Sequence, residues 1–94
     1  MKIQVKFFTT LREITGKKEE EVKSSSTITI KELLTQLSKK HGAEFTDYIY
    51  DEKGDVRIYI QILINGRSIN VFQGLETKLK EGDTVAIFPP VGGG

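Results

Sequence analysis

The amino-acid sequence predicts an α+β fold, one mixed sheet covered by one main amphipathic helix. Two observations predict it. Short stretches of strict apolar alternation recur near the start, past the middle and at the end of the chain, as half-buried strands require. Between the first and second of these lies Ile30-Leu33-Leu34-Leu37, with apolar residues at i, i+3, i+4 and i+7. That is a single helical face of the kind one sheet can cover. A chain of 94 residues has room for one such domain and one modest core.

The elements follow in order. Residues 2–8 alternate, with Ile3, Val5 and Phe7 facing one way and Lys2, Gln4, Lys6 and Phe8 the other. Residues 9–16 place threonines before an apolar pair and end on Gly16, a pattern for a short helical turn. Residues 17–23 set Glu19, Glu21 and Lys23 against Val22, a weaker strand that would pair with the first as a hairpin. Ser24-Ser25-Ser26 is a loop. Thr29 with Glu32 forms a capping box, and Ile28 with Leu33 a hydrophobic staple, so the main helix starts there. Lys39, Lys40 and His41 favour its negative C-terminal end, and Gly42 stops it after about three turns.

Residues 43–56 are less regular. Phe45, Tyr48 and Ile49 suit a short helical cover over the core, and residues 51–55 a polar turn. Residues 57–64 alternate again, with Ile58, Ile60, Ile62 and Ile64 on one face. Asn65-Gly66 is a strong hairpin signal, and residues 67–72 are the expected return strand. Residues 74–80 form a connection anchored by Leu75 and Leu79, followed by a tight turn at residues 81–83. Residues 84–88 are the last strand, with Val85 and Ile87 inward, and Pro89-Pro90 cannot continue it as ladder donors. The order strand, strand, helix, strand, short strand, strand is that of a ubiquitin-like β-grasp domain. Residues 1–88 make the domain, and residues 89–94 are expected to form a flexible tail.

Composition narrows the function. Hydrophobic residues make up 37% and charged residues 29%, and 14 basic against 13 acidic side chains leave a net charge of +1. A nucleic-acid binder usually shows a clear basic excess, so none is expected as a partner. With no cysteine, a disulfide framework, a Cys-ligated zinc site and a thiol nucleophile are excluded. Met1–Lys6 mixes charges with apolar residues, and no stretch has the unbroken apolar length of a signal peptide or a bilayer span. The expected location is the cytoplasm, with no membrane partner.

The tail, Pro89-Pro90-Val91-Gly92-Gly93-Gly94, is where chemistry can sit. It is a stiff stem followed by a thin tip, and six residues reach about 20 Å when extended. Glycine lacks a Cβ, so the tip can thread a narrow channel. A glycyl carboxylate at Gly94 is also an unhindered acyl group, open to activation as a mixed anhydride with AMP. The chain has no phosphate-binding glycine loop of its own, so an ATP-using partner is required. Taken alone, a glycine tail is more often a frayed end.

Val5–Phe8 leading to Leu11–Gly16, Thr29–Leu34, Ile62–Gly66 and above all Gly82–Val91 before the glycines carry a resemblance. The chain resembles the small subunit of molybdopterin synthase, the MoaD family of sulfur carriers, over nearly its whole length. Residues 43–57 are longer and more polar than in shorter members, and Gly92 stands where the family usually has Ser or Thr. The resemblance implies a cycle with an ATP-dependent activating enzyme of the ubiquitin-activating type. Gly94 is adenylated, a sulfur donor protein supplies sulfur that replaces AMP, and a thiocarboxylate results. The loaded tail then enters the large synthase subunit and donates sulfur to a pterin precursor. No metal or bound cofactor is expected on this chain; Gly94 would carry AMP and then sulfur transiently. Pro89, Pro90, Val91, Gly92 and Gly93 would be the tail residues the partners hold.

Other residues are weighed against plainer roles. Phe8 and Phe88 fall on the outward register of their strands, and Ile69 could share that face, with Leu63 a weaker candidate. Single exposed apolar residues are normal, whereas a patch marks an interface; family members dock partners with apolar residues at the corresponding positions. Arg12 is a candidate to pair with an acidic site on the activating enzyme, and equally a solvated arginine. The lone His41 is accounted for by the helix dipole, with no base or ligand partner in view. Glu19-Glu20-Glu21 reads as a solvated edge strand. Rival functions are a ubiquitin-like modifier joined to target lysines, a thiamin-pathway sulfur carrier, and a plain binding domain with an inert tail.

Overall fold

The computed structural model describes residues 1–88. Five strands form one sheet: β1 (Lys2–Phe7), β2 (Glu19–Lys23), β3 (Gln61–Ile64), β4 (Arg67–Ser68) and β5 (Thr84–Phe88). Three helices accompany them: α1 (Thr10–Thr15), α2 (Ile30–His41) and α3 (Ala43–Ile49). The strand order is β2-β1-β5-β3-β4, with β1 and β5 parallel and the other neighbours antiparallel. This is the β-grasp arrangement expected from the element order.

The alternation does what the pleat demands. Ile3, Val5 and Phe7 of β1 and Val85 and Ile87 of β5 are fully buried on one face. Ile30, Leu33, Leu34 and Leu37 of α2 close over that face. The capping box at the start of α2 is formed as read: the Glu32 N–H donates to the Thr29 hydroxyl at 3.2 Å, and the Thr29 N–H to Glu32 Oε1 at 2.9 Å. At the other end Gly42 takes φ +86°, a left-side angle that ends the helix and starts α3. Phe45 and Ile49 of α3 are buried, so the irregular stretch does supply a helical cover.

Asn65 and Gly66 both have positive φ, 50° and 85°, as the favoured two-residue hairpin turn requires. The Asn65 side chain also reaches across to the turn before β5. Its Nδ2 donates to Asp83 Oδ1 at 2.9 Å, and its Oδ1 accepts from the Thr84 N–H at 3.0 Å.

Two strands are shorter than the alternation suggests. β3 begins at Gln61, not at residue 57, and Ile58 is 100% exposed instead of inward. The cause is Arg57. Its N–H donates to the Ile49 carbonyl at 2.9 Å, and its guanidinium donates to the Asp47 carbonyl at 3.1 and 3.3 Å. Arg57 thus satisfies carbonyls at the end of α3, and the chain turns there, with the Ile60 N–H on the Arg57 carbonyl at 3.0 Å.

The return strand β4 stops at Ser68 for a similar reason. The Ser68 hydroxyl accepts from the Asn70 N–H at 3.1 Å and caps a 3₁₀ turn over Ile69–Val71. That turn carries Ile69 into the core, where it is 8% exposed. Ile69 is therefore a core residue, and its expected place on the outward face is corrected.

The acidic run is also not the solvated edge expected of it. β2 is an edge strand, but the pleat puts Glu20 on the same side as Val22, facing inward. Its carboxylate accepts from Lys40 Nζ at 2.6 Å and lies 2.8 Å from His41 Nε2, with Lys17 Nζ at 3.7 Å. His41 consequently has a partner, and its ring also packs against Phe7 and Phe45, with centroids 5.9 and 5.7 Å away. Burial pushes the Glu20 carboxyl up, but hydrogen bonds from Lys40 and His41 and the charges of His41 and Lys17 outweigh it. The net effect holds the group below its ordinary value of 4.5.

A depressed carboxyl stabilises the fold above its unfolded pKa, and that stability is lost as pH falls through the folded value. Glu20→Gln is expected to cost about 2 kcal/mol at neutral pH, since a buried charge-assisted pair is lost. The difference from wild type should shrink as pH drops below 4.5. Urea unfolding of both proteins from neutral to acidic pH checks this; a gap that stays constant across the series would contradict it.

Candidate functional site

The site is the end of the sheet where the chain leaves β5. Parallel pairing sets Phe7 opposite Ile87, so the next residues, Phe8 and Phe88, come side by side. Both turn away from α2, and their rings stack with centroids 4.5 Å apart and planes 10° off parallel. The stack is half-buried on the open face of the sheet.

Arg12 joins them. The chain reverses after Phe8, with the Leu11 N–H on the Phe8 carbonyl at 3.0 Å. Thr9 bends it with φ 46° and ψ −117°, the first central position of a type II′ turn, where glycine is the usual residue. A β-branched residue there is strained by about 1–3 kcal/mol. The turn brings Arg12 back so that its Nε donates to the Phe7 carbonyl at 2.9 Å and its guanidinium carbon sits 5.3 Å from the Phe8 ring centre. Arg12 is thus an exposed cation fixed in place over an aromatic face, and not a freely solvated side chain.

Ala86 and Leu63, paired across β5 and β3, extend the half-buried apolar strip, with Lys6 beside Ala86 on the other side. The structure therefore brings together Phe8, Phe88, Arg12 and Leu63, and takes Ile69 away into the core. Pro89, Pro90, Val91, Gly92, Gly93 and Gly94 lie outside the described residues. Among the described residues no group of three or more His, Asp or Glu is placed to hold a metal, and no helix is long and apolar enough to cross a membrane. Among the described residues a groove of about 680 Å³ lies on the helical side of the sheet beside Ser38, Asp47 and Asp51, away from the stack.

Besides the burial of Ile69, the sequence reading missed the pair Glu20–His41 and the exposure of Ile58. The alternation held a signal for the inward side of Glu20, because a residue two before Val22 shares its face, but none for its partner His41. The exposure of Ile58 left no such signal, because it depends on Arg57 reaching the end of α3.

Comparison with known proteins converges on one group. Residues 5–94 match the model of the ThiS family. Small archaeal modifier protein 3 of Haloferax volcanii is 33% identical over 94 residues, covering all of both chains. The crystal structure of SAMP1 from Haloferax volcanii has a TM-score of 0.87 at 26% identity, again over the whole of both chains. A Pyrococcus furiosus structure described as a molybdopterin converting factor, subunit 1, has a TM-score of 0.77 at 30% identity, covering 97% of this chain and 99% of that one.

Burial separates two apolar residues that the sequence placed on one face. Ile69→Asp puts a charge into the core and should lower the unfolding midpoint by at least about 10 °C. Phe88→Ala loses a half-exposed stack and should cost about 1 kcal/mol. Thermal unfolding of the two variants, followed by circular dichroism, checks the difference; an Ile69→Asp protein as stable as wild type would return Ile69 to the surface.

Proposed function

Since the chain belongs to the ThiS family of ubiquitin-like sulfur carriers, we propose that it works as a sulfur carrier whose reactive group is the carboxylate of Gly94. A partner enzyme adenylates Gly94 with ATP and releases pyrophosphate. The outer sulfur of a persulfide on a sulfur donor protein then attacks the acyl carbon and expels AMP, and a second thiol attacks the donor's sulfur in the resulting acyl disulfide, forming a disulfide and releasing the thiocarboxylate. A large synthase subunit receives the loaded tail and transfers its sulfur to a pterin precursor on the way to molybdopterin.

The observation that carries this reading is a division within the chain. The described domain has a rigid apolar stack and a fixed arginine at the exit of β5, but no metal cluster, and the sequence has no cysteine. Such a domain can be held by a partner, and the sequence beyond it ends in Gly92-Gly93-Gly94. The likeness to the Pyrococcus furiosus converting-factor structure supports the molybdopterin branch. In that cycle Phe8, Phe88 and Arg12 dock the partner, Pro89–Val91 space the tip, and Gly92 and Gly93 thread the channel.

A second reading has its own observation. The relative that matches all of this chain at 33% identity is called a modifier protein. On that reading a lysine amine of a target protein attacks the activated Gly94 and forms an isopeptide bond. Both readings begin with the same adenylate, and a chain could serve both.

Removal of Gly93 and Gly94 should abolish ATP–pyrophosphate exchange with the cognate activating enzyme. One residue added after Gly94 should be nearly as damaging, because it shifts the end by about 3.5 Å and a misplacement of about 1 Å can cost about a hundredfold. Exchange at the wild-type rate by the extended protein, its extension confirmed intact by mass, would remove Gly94 as the reactive group.

The two fates are separated by what is made. Addition of a sulfide source should raise the intact mass by about 16 Da, one oxygen replaced by sulfur at an activated carboxyl. The modifier reading instead expects Gly-Gly remnants on lysines of other proteins, detected by peptide mass spectrometry in wild-type cells and absent from cells lacking this chain.

A further inference from the structure

Among the described residues, the large apolar side chains left exposed are Ile58 at 100%, Tyr59 at 46%, Val71 at 67% and Phe72 at 45%. They are not scattered. They fall on two pairs of neighbours, 58–59 and 71–72, and Ile58 lines a groove of about 430 Å³ with Val56, Ile60, Ile62, Ile69 and Leu75. Scattered exposed apolar residues need no explanation, whereas a concentrated set marks a contact surface.

The register fixes where this surface lies. β3 and β5 run antiparallel with Gln61 opposite Phe88, so the residues just before Gln61 flank the point at which the chain leaves β5. Phe8 and Arg12 flank the same point from the β1 side. The end of β5 is therefore bordered on both sides by apolar side chains.

The segment is also firmly held. Arg57 is bonded to the Asp47 and Ile49 carbonyls, and Ile60 is bonded back to Arg57 and is itself buried. Ile58 is thus presented on a fixed turn, and with full exposure it adds nothing to the core. A backbone already held in place loses little entropy when a partner covers its side chains.

We propose that Ile58 and Tyr59 form a second docking surface for the activating enzyme, across the end of β5 from the Phe8–Phe88 stack. The inference rests on the reading of Gly94 as the group that enzyme adenylates. The length of chain beyond the domain favours this occupant. Residues 89–94 reach about 20 Å at most, so an enzyme that holds Gly94 in its catalytic pocket must rest against the end of the sheet from which the tail departs. Ile58 and Tyr59 are the exposed apolar residues next to that departure point on the β3 side.

The test is ATP–pyrophosphate exchange with the cognate activating enzyme, titrated with carrier. The double variant Ile58→Ser/Tyr59→Ser should raise the KM for carrier about tenfold, with kcat within about twofold of wild type because uniform binding alone is lost. Its unfolding midpoint should match wild type. Lys23→Ala, exposed at the opposite end of the sheet, should keep the wild-type KM. A double variant with wild-type KM, beside a wild-type protein that exchanges normally, overturns the surface and leaves the Gly94 reading standing. A wild-type protein that gives no exchange overturns both. Sedimentation adds the other occupant: a wild-type dimer that the double variant dissociates, with KM unchanged, would show that a second copy covers the surface instead.

Discussion

The pairing of the first strand with the last, β1 beside β5 in parallel, is the constraint on which the rest of the molecule depends. Parallel neighbours cannot be joined by a tight turn, so everything between Phe7 and Thr84 has to serve as the connection. That connection supplies the outer strands on both sides and the helices over one face. The two central strands are buried completely on that face at Ile3, Val5, Phe7, Val85 and Ile87. Because β5 is central, its end is fixed relative to β1, and Phe88 sits beside Phe8, which Arg12 overlies.

The edge of the sheet is secured by a different kind of contact. Glu20 on β2 reaches inward to Lys40 and His41 in the last turn of α2, so the outermost strand is tied to the helix that covers the sheet. The arrangement places a carboxylate near the C-terminal end of a helix, where it would be unfavourable alone. Lys40, His41 and Lys17 offset that cost, and the His41 ring fills space between Phe7 and Phe45. One cluster thereby joins β1, β2, α2 and α3. The capping box fixes the other end of α2, so the helix is anchored at both ends by named polar contacts as well as by its apolar face.

Most of the fold was legible because its signals are local. The main helix declared its start through Thr29 and Glu32, its face through four apolar residues, and its end through Gly42. Asn65-Gly66 declared the hairpin, and the outward positions of Phe8 and Phe88 followed from alternation and led to a real stack. The misses share a physical cause. Alternation continues through Ile58 and through Ile69, yet neither belongs to a strand, because Arg57 and Ser68 spend their hydrogen bonds on capping neighbouring turns. Those partners are set by tertiary contact or by a hydroxyl that suits strand or cap, and periodicity registers neither. Glu20 was obscured by composition: three consecutive glutamates look solvated, and only the pleat distinguishes the middle one.

On the proposed reading, chemistry at the Gly94 carboxylate explains why one scaffold can serve two fates. An acyl adenylate at a terminal glycine is attacked by whatever nucleophile is held against it, a sulfur atom giving a thiocarboxylate and an amine giving an amide. On that reading the stack and the fixed arginine orient a partner and leave the choice of nucleophile to it. What this chain contributes to specificity is therefore the shape of the exit from β5, and the nucleophile must come from the protein that binds there. Changes on the open face should alter which enzymes engage the carrier, while changes in the core under α2 act on stability alone. On this reading sulfur carrier and modifier are alternative outcomes of a single activation, selected by the surface around the tail and not by any residue within the fold.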